Sequence, residues 1–116
     1  MESAAQWRTM PDFQIDFDWN SKKALSNRSK HGVAFESAMT VFRDPLAVTI
    51  PDLEHGDDEE RWITLGESMS GALLVVVHTW VQMNEDRALV RIISVRRSSR
   101  REARQYTEGR INETGI

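Results

Sequence analysis

Six consecutive apolar residues, Ala72 to Val77, lie within the stretch "ALLVVVHTW". Side chains alternate between the two faces of a strand, so a strand that is apolar on both faces is covered on both. This segment therefore predicts a central strand with helices over at least one face. It is much shorter than the roughly 20 residues that cross a bilayer, so no membrane span is predicted.

Three further segments are rich in β-branched residues: "LAVTI", "RWITLGES" and "RALVRIISVR". Polar stretches that are typical of turns, "PDLEHGDDEE", "MSG" and "VQMNED", separate the four segments. Strands that follow one another through short turns usually pair with their neighbours in antiparallel fashion. We therefore predict a four-stranded antiparallel meander.

The residue pattern of the N-terminal third predicts a short strand and two helices. "FQIDF" alternates as a half-buried strand does, and Asp18 or Asn20 can cap a helix through "SKKALSNRSK". Gly32 stands where a left-handed C-terminal cap is expected. "FESAMTVF" has apolar residues at helical spacing and ends before Pro45, because the residue that precedes a proline disfavours helical backbone angles.

A third helix is predicted after the last strand. Ser99 and Glu102 form the S-x-x-E pattern of a capping box, and Gly109 is available to end the helix. The predicted fold class is α+β, with two N-terminal helices, a four-stranded antiparallel sheet and a C-terminal helix. We expect residues 1–12 to be a flexible extension, 13–110 a single domain and 111–116 a tail.

Composition narrows the possible chemistry. The 116 residues include no cysteine, which excludes disulfides, zinc-thiolate sites and thiol nucleophiles and fits a reducing cytoplasm. The net charge of −3 conceals a segregation, because acidic residues cluster between Asp52 and Glu60 whereas arginines gather near the C-terminus. Six of the fifteen Lys and Arg residues lie within one short segment, namely Arg91, Arg96, Arg97, Arg100, Arg101 and Arg104.

This arginine segment has two interpretations. It is either a solvated face, paired in part with the acidic loop, or a surface for a polyanion. Arg100 and Arg101 fall in the first turn of the predicted helix, where cations are destabilised by the helix dipole and phosphate is favoured. Arginine also suits bidentate phosphate contacts. We therefore favour a nucleic acid backbone as ligand.

The order and spacing of several motifs resemble the BrnT family of bacterial toxins. These motifs are "FDWNSKKALSNRSKHGVAFESAMTVFRDP", "EERWITLG", "LLVVVHT", "RIISVRR" and "REARQY". The likeness extends over about residues Phe13 to Glu108. It implies a type II toxin with a RelE-like fold that cleaves RNA without metal and blocks translation. It further implies a BrnA-type antitoxin with a ribbon-helix-helix region, through which alone the complex would bind operator DNA.

Metal-free RNA cleavage needs a base, an acid and cations that stabilise charge on the phosphorus oxygens. We expect Arg96 first, and Arg61 second, to stabilise that charge, and His31 or Tyr106 to move protons. No metal and no cofactor are expected, and the loop with His55, Asp57 and Asp58 has no recognised metal spacing. The expected RNA-binding residues are Lys30, Arg91, Arg97, Arg100, Arg101 and Arg104.

Each catalytic candidate also has a structural interpretation. His31 ends a helix, where a protonated histidine is stabilised for structural reasons alone. Arg61 can pair with the acidic loop, and Tyr106 can stack on a base or anchor the last helix. His78 follows the apolar run and is better explained as a hydrogen-bonded core residue.

Two other functions therefore stay open. One is a noncatalytic module that binds RNA or a partner and contributes to transcriptional repression. The other is a decayed toxin that folds and binds its antitoxin but no longer cleaves RNA.

Overall fold

The structure is a computed structural model that describes the backbone of residues 13–55 and 60–114 and the side chains of 13–54 and 60–109. Its elements in chain order are β1 Gln14–Asp18, α1 Ser21–His31, α2 Phe35–Val41, β2 Val48–Pro51, a 3-10 turn Leu53–His55, β3 Trp62–Glu67, β4 Leu73–His78, β5 Val81–Asn84, β6 Arg87–Arg97 and α3 Arg100–Thr114. The predicted extension 1–12 lies outside the described residues, and the domain boundaries remain a prediction.

The strands form one mixed sheet of six, in the order β1-β6-β4-β3-β2, with β5 also paired to β6. β1 runs parallel to β6, and the other pairs are antiparallel. The prediction of a four-stranded antiparallel sheet was therefore wrong, although the two N-terminal helices and the C-terminal helix are present. β4 lies between β3 and β6, which confirms its predicted central place.

The sheet contains β1 and β5 in addition to the four strands of the predicted meander, and the length of β6 explains how β5 is accommodated beside β4. The 11 residues of β6 extend about 36 Å, enough to pair with two strands in succession along one edge. Arg87 to Leu89 pair with β5, and Ile92 to Arg97 pair with β4. The segment "VQMN", which we predicted as part of a turn, forms β5; all four of its residues are exposed, so burial leaves no pattern in its sequence.

α1 and α2 cover one face of the sheet, which we call the helix face. The buried apolar cluster lies there and consists of Val33, Phe35, Ala38, Val41, Leu74, Val76, Val90, Ile92 and Val95. Burying such side chains removes apolar surface from water and supplies most of the driving force for folding. Across the described ranges, no helix is long and apolar enough to span a membrane.

Most of the helix ends lie where the sequence predicts them. Asn20 caps α1, its side-chain oxygen accepting from the backbone N–H groups of Lys22 and Lys23. Gly32 takes the left-handed conformation with φ 71°, and its N–H donates to the carbonyl of Arg28. α3 continues past Gly109, where we had predicted its end, to Thr114.

Asp44 follows α2 and connects the loop after that helix to β3 and α3. One carboxylate oxygen accepts from the N–H of Glu67 at 2.8 Å and from the hydroxyl of Tyr106 at 2.6 Å. The other oxygen accepts from the N–H of Leu46 at 2.9 Å. Gly66 lies close by, where a Cβ would be 2.8 Å from Val41. This close approach lets α2 pack against β3.

Candidate functional site

Two parts of the chain bring basic side chains to the end of the sheet formed by Glu67, Leu73 and Arg97, which we call the basic end. Glu67 and Leu73 are paired, and the N–H of Ser98 donates to the carbonyl of Leu73 at 3.0 Å. The last turn of α1 contributes one group and the β6–α3 junction the other. The residues concerned are Arg28, Lys30, His31, Arg96, Arg97, Arg100, Arg101 and Arg104.

Asn27 fixes α1 against β6. Its side chain is buried, and the amide nitrogen donates to the carbonyls of Val95 at 2.8 Å and Val33 at 3.2 Å. The N–H of Val95 donates back to the amide oxygen at 3.1 Å. β1 pairs with β6 only as far as Arg91. Beyond that point the amide of Asn27 satisfies the edge of β6 as a strand would.

A cleft of about 230 Å³ opens between the α1–α2 corner and the sheet at the basic end. Arg28 and Arg97 contribute the charged side chains to its lining, and neither forms an ion pair with a described residue. The remaining lining consists of small polar and apolar residues, namely Gly32, Val33, Ala34, Ser37, Ser68, Ser70, Ala72 and Leu74. Arg97 is the residue opposite Leu74 in the β4–β6 pair.

Arg96 is engaged by Glu102. Two guanidinium nitrogens donate to the two carboxylate oxygens at 2.9 and 2.7 Å. Glu102 also accepts from the N–H of Ser99, while the Ser99 hydroxyl accepts from the N–H of Glu102, so the predicted capping box is formed. The hydrogen bond from Arg96 is the main cause that lowers the pKa of Glu102 from 4.5 to about 2. The same contact raises the pKa of Arg96.

The other predicted RNA-binding residues differ in their surroundings. Arg91 donates to Asp18 on the neighbouring strand at 2.8 Å, and it lies six residues along β6 from Arg97. The rest are exposed at or near the basic end, namely Lys30, Arg100, Arg101 and Arg104. His31 is also exposed, in the last turn of α1. The basic end thus collects most of this predicted set, and Arg91 lies apart from it.

The four predicted catalytic residues do not converge on one point. Arg61 precedes β3 at the end opposite to Glu67, roughly 20 Å along the strand from the basic end. Its Nε is buried and has no hydrogen-bond partner among the described residues. Tyr106 is buried, and its hydroxyl donates to Asp44. His31 ends α1, whereas Arg96 lies near the end of β6 and is paired to Glu102.

His78 belongs to the core. Its Nδ1 is 2.9 Å from the carbonyl of Thr79, so that nitrogen carries the proton, and Nε2 accepts from the hydroxyl of Thr64 at 2.7 Å. Its ring packs edge-on against Phe42 with centroids 4.8 Å apart. Burial lowers the pKa of His78, and the Thr79 carbonyl opposes this only in part. His78 therefore stays neutral at neutral pH and holds strands together.

Within the described side chains, residues 13–54 and 60–109, no three His, Asp or Glu side chains are grouped so that they could hold a metal ion. Asp57 and Asp58 lie outside the described residues, as does the side chain of His55. The prediction that their loop binds no metal therefore stays a prediction.

Sequence reasoning missed Arg28 and Asn27. Arg28 lies four residues before Gly32, a spacing that places both on one face of α1 and along the cleft. Because the sequence already identified Gly32 as the cap of α1, the four-residue spacing could have identified Arg28 as a basic residue close to that cap. Asn27 offered no comparable signal, because its partners Val33 and Val95 meet only in the folded chain.

Comparison with known proteins gives one family. Residues 19–102 match the family described as "Ribonuclease toxin, BrnT, of type II toxin-antitoxin system". The 1.1 Å crystal structure of the Brucella abortus ribonuclease toxin BrnT matches with a TM-score of 0.55 and 20% identity, over 75% of this chain and 100% of that chain. At this identity the structural likeness concerns the fold. A search of curated proteins found no match to this chain.

Proposed function

This chain belongs to the BrnT family of ribonuclease toxins of type II toxin-antitoxin systems, and we propose that it cleaves RNA without a metal ion and thereby blocks translation. The observation that carries the proposal is the meeting of α1 and the β6–α3 junction at the basic end. The guanidinium groups of Arg28 and Arg97, from distant parts of the sequence, line a cleft there, and Lys30 and His31 belong to the same last turn of α1 as Arg28. Such a surface attracts a polyanion and can stabilise charge that builds on it.

The proposed reaction uses the substrate's own 2′-hydroxyl. Its oxygen bonds to the adjacent phosphorus while the bond from phosphorus to the 5′ oxygen breaks. One proton leaves the 2′-hydroxyl for a base, and one is delivered to the departing 5′ oxygen. The products are a 2′,3′-cyclic phosphate and a 5′-hydroxyl end. This chemistry needs a base, an acid and cations, and we propose residues of this chain for one of the two proton transfers and for the cation.

We propose His31 as a proton carrier and Arg96 as the cation that stabilises the transition state. His31 is exposed at the end of α1. Arg96 is held by two carboxylate oxygens of Glu102, and a phosphate group presents two oxygens in a similar arrangement. The substrate can therefore replace Glu102 on the guanidinium group without requiring a new side-chain geometry.

We assign different parts to the remaining candidates. Arg61 lies roughly 20 Å along β3 from the basic end, so we propose that it contacts another phosphate of the same RNA strand. Tyr106 donates to Asp44, and we propose that it anchors α3. Lys30, Arg100, Arg101 and Arg104 are exposed near the basic end and supply the positive field that holds the RNA.

The partner follows from the family. A type II toxin has a protein antitoxin, and we propose that this one is a BrnA-type antitoxin with a ribbon-helix-helix region. In that arrangement the antitoxin would neutralise the toxin, and operator DNA would be bound only through the complex. A supporting observation would be a neighbouring reading frame that encodes a short basic strand followed by two helices.

The proposal is tested with purified toxin that has been freed of antitoxin. We expect RNA cleavage in the presence of a chelator, with 5′-hydroxyl ends. Replacing His31 with Ala should slow cleavage by about 10²- to 10⁴-fold, the usual contribution of a proton carrier. Lys22→Ala, in the exposed first turn of α1 away from the basic end, is the charge control and should retain most activity. Absence of cleavage, or cleavage that stops on chelation, would contradict the proposal.

A noncatalytic binding module is the second candidate. It is favoured by one observation, namely that His31, Arg61, Arg96 and Tyr106 do not meet at one point. Arg96→Ala separates the two functions. In a nuclease it should reduce cleavage strongly while leaving much of the RNA affinity, whereas in a binding module each arginine would account for a modest share of affinity and none for cleavage.

A further inference from the structure

The cleft at the basic end has an unusual distribution of charge. Arg28 comes from the last turn of α1 and Arg97 from the end of β6, and the described lining of the cleft includes no carboxylate. Arg87, Arg91 and Arg96 are each paired with a carboxylate. Two unpaired guanidinium groups at one cleft form a strong set of donors for an anion with several oxygens.

The hydroxyl groups at the same cleft have a defined direction. The Ser68 hydroxyl donates to the carbonyl of Ala72 at 3.0 Å, and it lies 3.0 Å from the hydroxyl of Ser70. A hydroxyl carries one proton, so Ser68 has none left to give and Ser70 must donate to Ser68. The oxygen of Ser70 is then left as an acceptor. Since Ser70 is exposed, a ligand can reach this oxygen.

We propose that this cleft binds one ribonucleotide unit of the RNA substrate, with its phosphate on Arg28 and Arg97 and its 2′-hydroxyl donating to Ser70. The inference rests on the proposed ribonuclease function and names a subsite for it. Guanidinium donors match the phosphate oxygens, and the acceptor oxygen of Ser70 matches a hydroxyl donor. DNA lacks that hydroxyl, so the subsite distinguishes RNA from DNA.

The apolar part of the lining fits the same ligand. Val33 and Leu74 are buried, and Ala34 and Ala72 are half-buried at the cleft. Their surface suits the carbon atoms of a ribose, which carry no charge. Asn27 holds α1 against β6 close to the cleft, so Arg28 and Arg97 are positioned before the ligand arrives.

The test uses the full chain and probes that cannot be cleaved, namely the four nucleoside 5′-monophosphates and their 2′-deoxy counterparts. Binding is followed by NMR titration of backbone amides. We expect shifts at Arg28, Gly32 and Ser70, and roughly tenfold or greater weakening in the double variant Arg28→Ala and Arg97→Ala. Both arginines are exposed, so the variant is expected to fold, which a urea transition verifies.

Three further variants serve as controls. Replacing Lys22 and Lys23 with Ala removes the same charge from the opposite end of α1 and should leave affinity within about twofold. Replacing Arg28 and Arg97 with Lys keeps the charge but not the two-donor fork, so affinity should be intermediate. Ser70→Ala should abolish the preference for ribonucleotides over deoxyribonucleotides while leaving phosphate binding.

Unchanged affinity in the double alanine variant, or shifts confined to other surfaces, would overturn the inference. An RNA cleavage assay on the same protein separates this result from the function itself. Cleavage by wild type without binding at the cleft refutes the subsite and leaves the proposed function standing. Binding at the cleft without cleavage supports the subsite and refutes the nuclease proposal.

Discussion

The two halves of β6 carry arginines in opposite circumstances. In the first half, Arg87 and Arg91 lie beside β1 and donate to Asp16 at 2.6 Å and Asp18 at 2.8 Å. In the second half β1 has ended, and the neutral amide of Asn27 occupies the edge instead. Arg97 has no ion-pair partner among the described residues there. The same residue type is structural in one half and available to a ligand in the other.

The two halves of β6 differ in the group that hydrogen-bonds to the backbone along the edge where β1 lies. A neighbouring strand brings its own side chains close, and β1 supplies Asp18 opposite Arg91 and Asp16 within reach of Arg87. A single amide satisfies backbone groups without adding charge. Ending β1 early and replacing it with Asn27 therefore leaves the arginine at the end of β6 unneutralised, next to the cleft.

The largest expected effect concerns Asn27. Replacing it with Ala leaves the carbonyls of Val33 and Val95 and the N–H of Val95 without their partner. Since each buried polar group left unsatisfied costs about 1–3 kcal/mol, we expect the free energy of unfolding to fall by about 3 kcal/mol. Urea unfolding at pH 7.5 measures this loss.

Asn20→Ala is the matched control for that substitution. It deletes the same side chain from the exposed cap of α1 and should cost only about 1 kcal/mol. Asn27→Asp sharpens the comparison, because an ionised carboxylate can accept from Val95 but cannot donate to either carbonyl. Equal losses at positions 20 and 27 would contradict the view that Asn27 replaces a strand.

The pattern of the sequence predicted those features that depend on neighbours in the chain. The apolar run from Ala72 to Val77 indicated the central strand, and Gly32 and Ser99 indicated helix ends, because each reports on its own segment. The parallel pairing of β1 with β6 was missed, since "FQIDF" says that it is a strand but not which strand it joins.

The candidate site was predicted less completely for the same reason. The density of arginines in the sequence pointed to the β6–α3 segment, and most of these arginines lie at the basic end of the structure. Which arginine is neutralised depends on carboxylates brought close by folding, such as Asp18 for Arg91 and Glu102 for Arg96. Glu102 was recognised as a cap, but its second contact follows from a geometry that spacing does not reveal.

The second prediction concerns His78, which lies between the two halves of β6. It pairs with Ile92 at the point where the register of β4 against β6 shifts. Burial holds its pKa below 6.5 in the folded protein. The unfolded chain therefore binds a proton more readily, and stability is complete above pH 6.5 and falls as the pH drops through the folded value. One proton gives a slope of at most about 1.4 kcal/mol per pH unit.

Urea unfolding between pH 8 and pH 5 measures this slope. His78→Gln removes the titrating group and should remove the slope, although it also lowers stability at every pH. His31→Gln is the matched control, because it removes an exposed histidine. A slope that persists in His78→Gln and disappears in His31→Gln would show that His78 is not its source.

The third prediction concerns Arg96, the arginine in the second half of β6 that does have a carboxylate partner, Glu102 of α3. Replacing Glu102 with Gln breaks the two-oxygen contact with Arg96 and should lower the free energy of unfolding by about 1 kcal/mol, since Arg96 is partly screened by water. The pKa of Glu102 falls from 4.5 to about 2 on folding, so this stabilisation is complete above pH 4.5 and lost between pH 4.5 and 2.

RNA binding provides the second measurement on the same variant. Glu102→Gln frees the guanidinium of Arg96, so we expect RNA affinity to rise a few-fold. Ser99→Ala is the control, because it weakens the same helix cap without releasing Arg96 from its carboxylate. If both variants changed RNA affinity equally, the effect would belong to the helix and not to the arginine.

The smallest effect is expected in the first half of β6. Arg91 and Asp18 are both about half exposed, so a double-mutant cycle with Ala should give a coupling energy of about 0.2–1 kcal/mol. It should decrease as salt is raised, because water and ions screen the pair. RNA affinity provides the contrast with Arg97, for which Ala substitution should weaken binding. Arg91→Ala should leave RNA affinity nearly unchanged, whereas a loss equal to that of Arg97→Ala would show that both halves serve the ligand.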